Sequence, residues 1–155
     1  MLAPGEREDW RHFVTSNPTS HQVVSAGLRT GSGGGVYEGS QTIFDASGNP
    51  MSRPMRTRLV LNFHNGSKWE NCHDSGWISN GTRQWSHNGV NMGAVPDCGT
   101  ALYGMKVAGL YWSATQGRWL GGTWVLSGNL TLGGVGPVRN VPPMPDPPLN
   151  LPPAP

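Results

Sequence analysis

A chain of 155 residues is long enough to form one domain with a buried core. Charged residues make up only 13%, and the formal net charge of +2 comes without a run of Lys or Arg. The sequence therefore lacks the basic stripe that nucleic-acid binding by counterion release requires. It also has no apolar stretch of membrane-spanning length, and its acidic start MLAPGEREDW lacks the basic and apolar regions of a secretion signal. We expect neither nucleic acid nor a membrane as a partner.

The first element predicted is a short helix over residues 4–14. Its proline suits the first helical turn, and the acidic residues that follow suit the positive end of the helix dipole. Trp10, Phe13 and Val14 fall at i, i+3 and i+4 and would form one apolar stripe. Because so short a helix is marginal alone, the stripe is expected to dock on a partner. Residues 15–35 then have the composition of a flexible linker that ends in a glycine run.

From Val36 onwards the apolar residues recur with a period of two, which is typical of strands. In the run 56–64 the apolar residues of one face are Leu59, Leu61 and Phe63, and the opposite face carries Arg58, Val60, Asn62 and His64. One buried and one solvated face are therefore expected. Turns that contain glycine separate this run from the others. The other strands are expected at 36–44, 76–78, 101–112, 118–126 and 129–132. The fold class predicted is all-β, an antiparallel β-sandwich or barrel of jelly-roll type.

The C-terminal region is dominated by proline, and the last sixteen residues read NVPPMPDPPLNLPPAP. Such a segment can form neither a helix interior nor a central strand and is typical of extended polyproline II. We predict that residues 133–155 are an arm that lies on a neighbouring subunit; the alternative is a solvated spacer. The expected contacts of the arm are its apolar residues Val141, Met144, Leu149 and Leu151. The chain then divides into an N-terminal arm at 1–35, a β body at 36–132 and this C-terminal arm.

Cys72 and Cys98 allow a disulfide, two buried thiols, or a zinc site completed by His73 and either His64 or His87. Their spacing matches none of the short zinc patterns, and the neighbours Cys72 and His73 would point to opposite faces of a strand. We expect no metal and no other cofactor. The disulfide and the free thiols both stay open.

Residue types suited to hydrolysis occur in the same region, namely His64, Asp74, Ser75 and His87. They form no recognised catalytic motif, and Asp74-Ser75-Gly76 suits a turn equally well. We assign no catalytic residue and do not expect an enzyme.

The seven tryptophans are the strongest candidates for a binding role. Most are expected to pack inside, but Trp85 in a polar loop and Trp112 at a hairpin end are predicted to be exposed. Indole rings can stack on sugar rings, so these two residues could contact a glycan. One hypothesis is therefore a carbohydrate-binding module that recognises a glycan of a host cell wall.

Several features of the whole chain recur together in one class of protein. Arg outnumbers Lys, the middle is rich in Gly and Trp, a hairpin turn at 44–50 follows a polar strand, and the proline-rich tail follows the β region. In these features the chain resembles minor tail and other virion structural proteins of phages that infect actinobacteria. The resemblance implies β modules whose terminal arms clasp their neighbours. The function it implies is a non-enzymatic virion component, tail or capsid-associated, whose partners are copies of itself and other virion proteins.

Overall fold

A computed structural model describes residues 7–16, 20–31, 34–83, 85–91, 98–99, 101–132 and 141–155. Within these ranges the chain is all-β and antiparallel, as predicted, and has no helix. Consequently the described part contains no helix with the length and apolar character to cross a lipid bilayer. The strands are β1 (Arg7–Ser16), β2 (Ser20–Gly31), β3 (Gly34–Asp45), β4 (Met55–His64), β5 (Trp69–Asp74), β6 (Ile78–Ser79), β7 (Trp85–Asn91), β8 (Ala101–Ser113), β9 (Arg118–Gly121) and β10 (Val125–Leu132).

The strands are arranged in two sheets. The first sheet has the order β1-β2-β3-β7, and the second has the order β10-β8-β4-β5, with β6 paired to β4 and β9 to β8. Leu59 of β4 lies opposite Val107 of β8 at the centre of the second sheet. Both belong to one buried apolar cluster with Val24, Ala26 and Tyr37 of the first sheet, so the two sheets share a core.

The helix predicted for residues 4–14 is wrong over its described part, because Arg7–Ser16 is strand β1 and pairs with β2. A short helix is marginal in water, whereas the ladder with β2 satisfies the backbone groups, and the Trp, Phe, Val and Thr side chains of this stretch suit strands. In a strand, positions i, i+3 and i+4 do not share a face, so the apolar stripe is not formed.

An interface role for Trp10, Phe13 and Val14 stays a prediction. Val14 is 58% exposed, which leaves it available for contact. Trp10 and Phe13 are placed by their backbone pairing with Gly27 and Val24. Their side chains lie outside the described part of the structure.

The flexible linker predicted for 15–35 is also wrong where the structure describes it. Residues 20–31 are β2, and Gly31 pairs with Gly34 at the start of β3. The glycine run therefore lies where the two strands of a hairpin are connected. Composition alone does not separate this use of glycine from a linker.

A polar tether crosses the interior between the two sheets. The Nε2 group of Gln22 donates to Gln41 Oε1 at 3.0 Å and to the Gly109 carbonyl at 2.9 Å. The Nε2 group of Gln41 donates to the carbonyls of Arg56 at 2.7 Å and Leu110 at 3.0 Å. Both side chains are buried, so these bonds fix how the first sheet sits on the second.

The sheets approach closely where Gly39 of β3 faces Val107 of β8. A Cβ atom at position 39 would lie 2.5 Å and 2.7 Å from the two methyl groups of Val107. Glycine is needed at this position because of the space that Val107 occupies.

We expect Gly39→Ala to lower the free energy of unfolding by about 1–3 kcal/mol, because the new methyl group overpacks the interior. Urea denaturation checks this, with Ser40→Ala, at the neighbouring half-buried position, as the control. In a Val107→Ala background the added methyl group fills vacated space, so the penalty at position 39 should shrink. Equal penalties in the two backgrounds would contradict the packing explanation.

Candidate functional site

The second sheet has an outer face, defined as the face turned away from the first sheet. Leu59 and Leu61 point into the shared core, and the alternation predicted for β4 is confirmed. The predicted solvation of the other face is wrong, because Val60 is only 2% exposed and Arg58 only 7%. Leu110 of β8, on the same outer face as Arg56 opposite it, is also buried.

The proline-rich segment, residues 141–155, lies along this outer face. It has no helix or strand of its own. Met144 lies against Gly104 of β8, Asp146 reaches Lys106 two residues further along, and Leu149 lies against Gly122 beside Leu110. The segment therefore follows the direction of β8 and covers the centre of the outer face.

Indole groups of the body hold the backbone of this segment. Trp69 Nε1 donates to the Pro142 carbonyl at 2.8 Å. Trp77 Nε1 donates to the carbonyls of Leu149 at 2.9 Å and Asn150 at 3.0 Å, and Trp119 Nε1 donates to that of Pro152 at 3.0 Å. Trp69 lies on β5, Trp77 between β5 and β6, and Trp119 on β9. The three indoles therefore hold the segment near its start, its middle and its end.

The chemistry of the two surfaces is complementary. Eight of the fifteen residues in the proline-rich segment are proline and carry no N–H, so the segment is rich in free carbonyl acceptors. Indole and guanidinium groups have donors and no acceptors. An aromatic surface with such donors is the usual means of binding proline-rich segments. The body therefore supplies the hydrogen-bond donors that the segment lacks.

Arg58 binds both the body and the proline-rich segment. Its Nε and Nη2 donate to Asp74 Oδ1 at 2.9 Å and Oδ2 at 2.6 Å, a two-pronged charge-assisted pair. Its Nη1 donates to the carbonyls of Pro148 at 2.6 Å and Leu149 at 3.1 Å. The guanidinium carbon also lies 5.9 Å from the ring centre of Trp77 and 5.4 Å from that of Trp124. A buried charge needs this many partners, and the proline-rich segment provides two of them.

Two further contacts depend on side chains of the segment. Lys106 Nζ forms an ion pair with Asp146, and Lys106 itself is buried. The Met144 side chain, 2% exposed, fits where β8 has a glycine, since a Cβ at Gly104 would lie 3.1 Å from Met144 Sδ. These contacts depend on which side chains the segment carries, whereas the bonds to its backbone carbonyls do not.

The expectation that this segment has no place on its own chain is wrong. It considered only apolar contacts, whereas polar side chains of the body also donate hydrogen bonds to the carbonyls of the segment. Of the four apolar residues predicted as contacts, Met144 and Leu149 pack against the body, Val141 is half-buried and Leu151 is 60% exposed. Contact of these residues with a neighbouring subunit stays a prediction.

The end of the site near β5 is positioned by His64. Its Nδ1 accepts a hydrogen bond from the Gly66 N–H at 3.2 Å. The imidazole packs edge-on against the ring of Trp69, with 5.4 Å between ring centres. His64 thus orients the indole that holds Pro142.

Cys72 and Cys98 form a disulfide with 5.8 Å between their Cα atoms, which decides between the two readings left open by the sequence. Cys72 is the extra residue of a bulge in β5, where His73 pairs with Leu61 and Asn71 with Asn62. Both cysteines pack against the shared core. The bond ties β5, which carries Trp69 and Asp74, to the segment that precedes β8.

The residues considered for hydrolysis are not brought together. Asp74 lies opposite Val60, four residues along β4 from His64, and its carboxylate is engaged by Arg58. His87 is on β7 in the first sheet. The Ser75 hydroxyl donates to the Gly76 carbonyl and accepts the Leu59 N–H, as expected for a turn. Within the described residues, no three His, Cys, Asp or Glu side chains are grouped so as to hold a metal ion.

The two tryptophans proposed for glycan contact are placed differently from the prediction. Trp112 is half-buried and packs edge-on against Trp119, with 5.2 Å between ring centres. Trp85 begins strand β7, opposite Thr42, rather than lying in a loop, and its side chain is outside the described part. Glycan contact by either residue stays a prediction.

Sequence reasoning missed Trp69, Trp77, Trp119 and Lys106 as parts of one site. A signal was present, because Arg58 and Lys106 each interrupt an otherwise apolar strand, in TRLVLNF and GMKVAGL. A cation at the middle of a central strand needs a covering partner. The proline-rich tail was a long segment whose composition excluded it from the sheets.

No protein-family model matches the chain, and comparisons with curated proteins and with solved structures find no similar protein. The geometry of the site is thus the basis for a functional proposal.

We expect Arg58→Met to release the proline-rich segment, because the Pro148 carbonyl loses its Arg58 donor, the Leu149 carbonyl keeps only Trp77, and Asp74 loses its partner. The free energy of unfolding should fall by about 2–4 kcal/mol. Backbone NMR relaxation of Leu151 and Ala154 reports release directly, and urea denaturation gives the energy. Arg53→Met is the control, because its guanidinium lies over Tyr111 and not over an indole that holds the segment. Unchanged relaxation at both reporter residues in Arg58→Met would contradict the role of Arg58.

Acid should weaken the same site. The hydrogen bonds from Arg58 are the largest cause that holds the pKa of Asp74 below its usual value of 3.8. A carboxyl with a lowered pKa stabilises the fold above its usual pKa, and this contribution is lost as the pH falls through the lowered value. We expect no change from this group between pH 7 and pH 5 and a loss of stability below about pH 3.8.

Urea denaturation as a function of pH, on the native chain and on Asp74→Asn, measures this contribution. The pKa of Asp45 is also lowered, chiefly by the backbone N–H of Asn49, so Asp45→Asn serves as the matched control. Asp74→Asn should reduce the acid sensitivity of the free energy of unfolding, together with that of the Leu151 and Ala154 signals. An unaltered acid response in Asp74→Asn would show that the Arg58 pair is not its source.

Proposed function

We propose that the protein is a non-enzymatic structural component of a phage particle, a minor tail or capsid-associated protein built as a β-sandwich module. The observation that carries this proposal is the attachment of the proline-rich segment. Four side chains of the body, Arg58, Trp69, Trp77 and Trp119, donate hydrogen bonds to its carbonyls. Attachment of a segment through its backbone to a sheet face is suited to joining structural parts rather than to catalysis.

The surface of the body supports an assembly role. Charged residues are few, so the surface depends on polar neutral groups and glycine, which suits a protein held among others. Strand β1 ends the first sheet within the described part, and a sheet edge presents backbone groups that can pair with another chain. Val14 on that strand is largely exposed. Both the edge strand and the proline-rich segment are therefore suited to contact neighbours.

The polar groups of the best-defined site are already engaged. Asp74 is held by Arg58, and Lys106 is paired with Asp146. Groups engaged in this way stabilise an attachment, whereas a general acid or base must be able to exchange a proton with a substrate. This supports a structural role over a hydrolytic one.

The proposal predicts that the chain is present in purified particles at a fixed ratio to a major structural protein. Quantitative mass spectrometry of particles banded in a density gradient measures this ratio, before and after a high-salt wash. A soluble host protein from the same lysate controls for carry-over. Recovery of the chain only in the soluble fraction would contradict the proposal.

A further inference from the structure

We propose that the outer face of the second sheet is an exchangeable binding site, and that in an assembly it binds the proline-rich segment of a second copy of this chain. The assembly context rests on the proposed function, whereas the binding site rests on the geometry of the contacts. The occupant in trans is the same stretch, residues 141–155, that occupies the face in cis.

The contacts at the face do not depend on which copy supplies the segment. Among the described residues, the side chains that donate to its carbonyls belong to the body and the accepting carbonyls belong to the segment. A segment from another molecule would therefore make the same bonds. Exchange between identical chains replaces each contact with an equivalent one and so costs little free energy.

Side-chain contacts make the site selective for this segment among proline-rich sequences. Lys106 pairs with Asp146, and the space over Gly104 takes Met144. Asn150 has a φ of 48°, in the left-handed region, and its carbonyl shares the Trp77 N–H with that of Leu149. A generic polyproline chain lacks the carboxylate, the thioether and the residue that tolerates this φ.

The length of the connection permits exchange. Eight residues join Leu132 to Val141, so the two Cα atoms can be at most about 32 Å apart. Leu132 pairs with Ala101 at the end of β10, and the segment begins beside Trp69 of β5. This path crosses three strand spacings, about 14 Å. The fully extended connection could thus span about twice the distance that attachment in cis requires.

Concentration decides which arrangement forms. A short connection gives an attached segment an effective concentration on the order of millimolar. A dilute chain therefore keeps its own segment in place. Neighbours packed in a particle reach comparable local concentrations, and exchange then links one copy to the next.

The first test shortens the connection in the full chain. Deletion of residues 133–138 leaves three Cα–Cα steps, about 11 Å, which is less than attachment in cis requires. We expect a discrete dimer of twice the chain mass at a concentration where the unaltered chain is a monomer. Light scattering coupled to size-exclusion chromatography measures the mass.

The matched control replaces residues 133–138 with a Gly-Ser stretch of equal length, which should stay monomeric. In the dimer the Leu151 and Ala154 amides should keep the NMR relaxation of a bound segment. A monomeric deletion variant would overturn the inference, whether its segment is bound or free.

The second test works on protein that has already folded. A protease site placed within residues 133–140 is cut after purification, and a labelled peptide of residues 141–155 is added. Fluorescence anisotropy should show uptake of the peptide by the cut chain and at least tenfold weaker uptake by the uncut chain. Arg58→Lys should raise Kd about tenfold, because Lys cannot reproduce the two-pronged bond and the bonds to the carbonyls together.

The sequence of the peptide provides the internal control for this second test. A peptide with Asp146→Asn should bind more weakly to the native body but not to a Lys106→Met body. Absence of uptake by the cut chain would overturn the inference, whether the original segment stays bound or is lost. If the chain is found in particles but does not exchange its segment, the proposed function stands and the inference is rejected. If the chain exchanges its segment but is absent from particles, the binding site stands and the proposed function is rejected.

Discussion

The buried guanidinium of Arg58 is the constraint on which the outer half of the structure depends. A charge at the centre of a central strand is tolerated only when its donors are satisfied in place. Asp74 satisfies two of its nitrogens, the carbonyls of Pro148 and Leu149 satisfy the third, and two indoles flank it. Removing the proline-rich segment would therefore leave a partly unsatisfied cation rather than merely uncover an apolar surface.

The two faces of the second sheet are buried by different chemistry. The face toward the first sheet is closed by apolar packing and by the amides of Gln22 and Gln41. The outer face is closed by indoles, two ion pairs and a segment without secondary structure. Packing of the first kind demands matched shapes, as the fit of Gly39 to Val107 shows. Backbone hydrogen bonding of the second kind can be satisfied equally by another copy of the same segment.

The disulfide and the bulge in β5 stabilise the surroundings of this site. The bulge places Cys72 toward the shared core, while Trp69 and Asp74, on either side of it, serve the outer face. The covalent bond to Cys98 holds this strand to the chain that enters β8. The strand that carries Trp69, the donor at the start of the proline-rich segment, and Asp74, the partner of Arg58, is thus held to the core by a covalent bond.

The sequence by itself determined the fold class and the central strands, because side-chain alternation depends only on local geometry and a buried face: β4 and β8 were placed to within one residue at each end. It also identified a segment that cannot pair in a sheet, since proline lacks the donor. Only the tertiary structure decided that Arg7–Ser16 is a strand and that the Gly31–Gly34 run closes a hairpin, because both depend on pairing between successive strands, which neither helical spacing nor composition reveals. The same holds for the candidate site: Trp69, Trp77 and Trp119 lie on separate elements, and their donors converge on one set of carbonyls only after the sheet has formed.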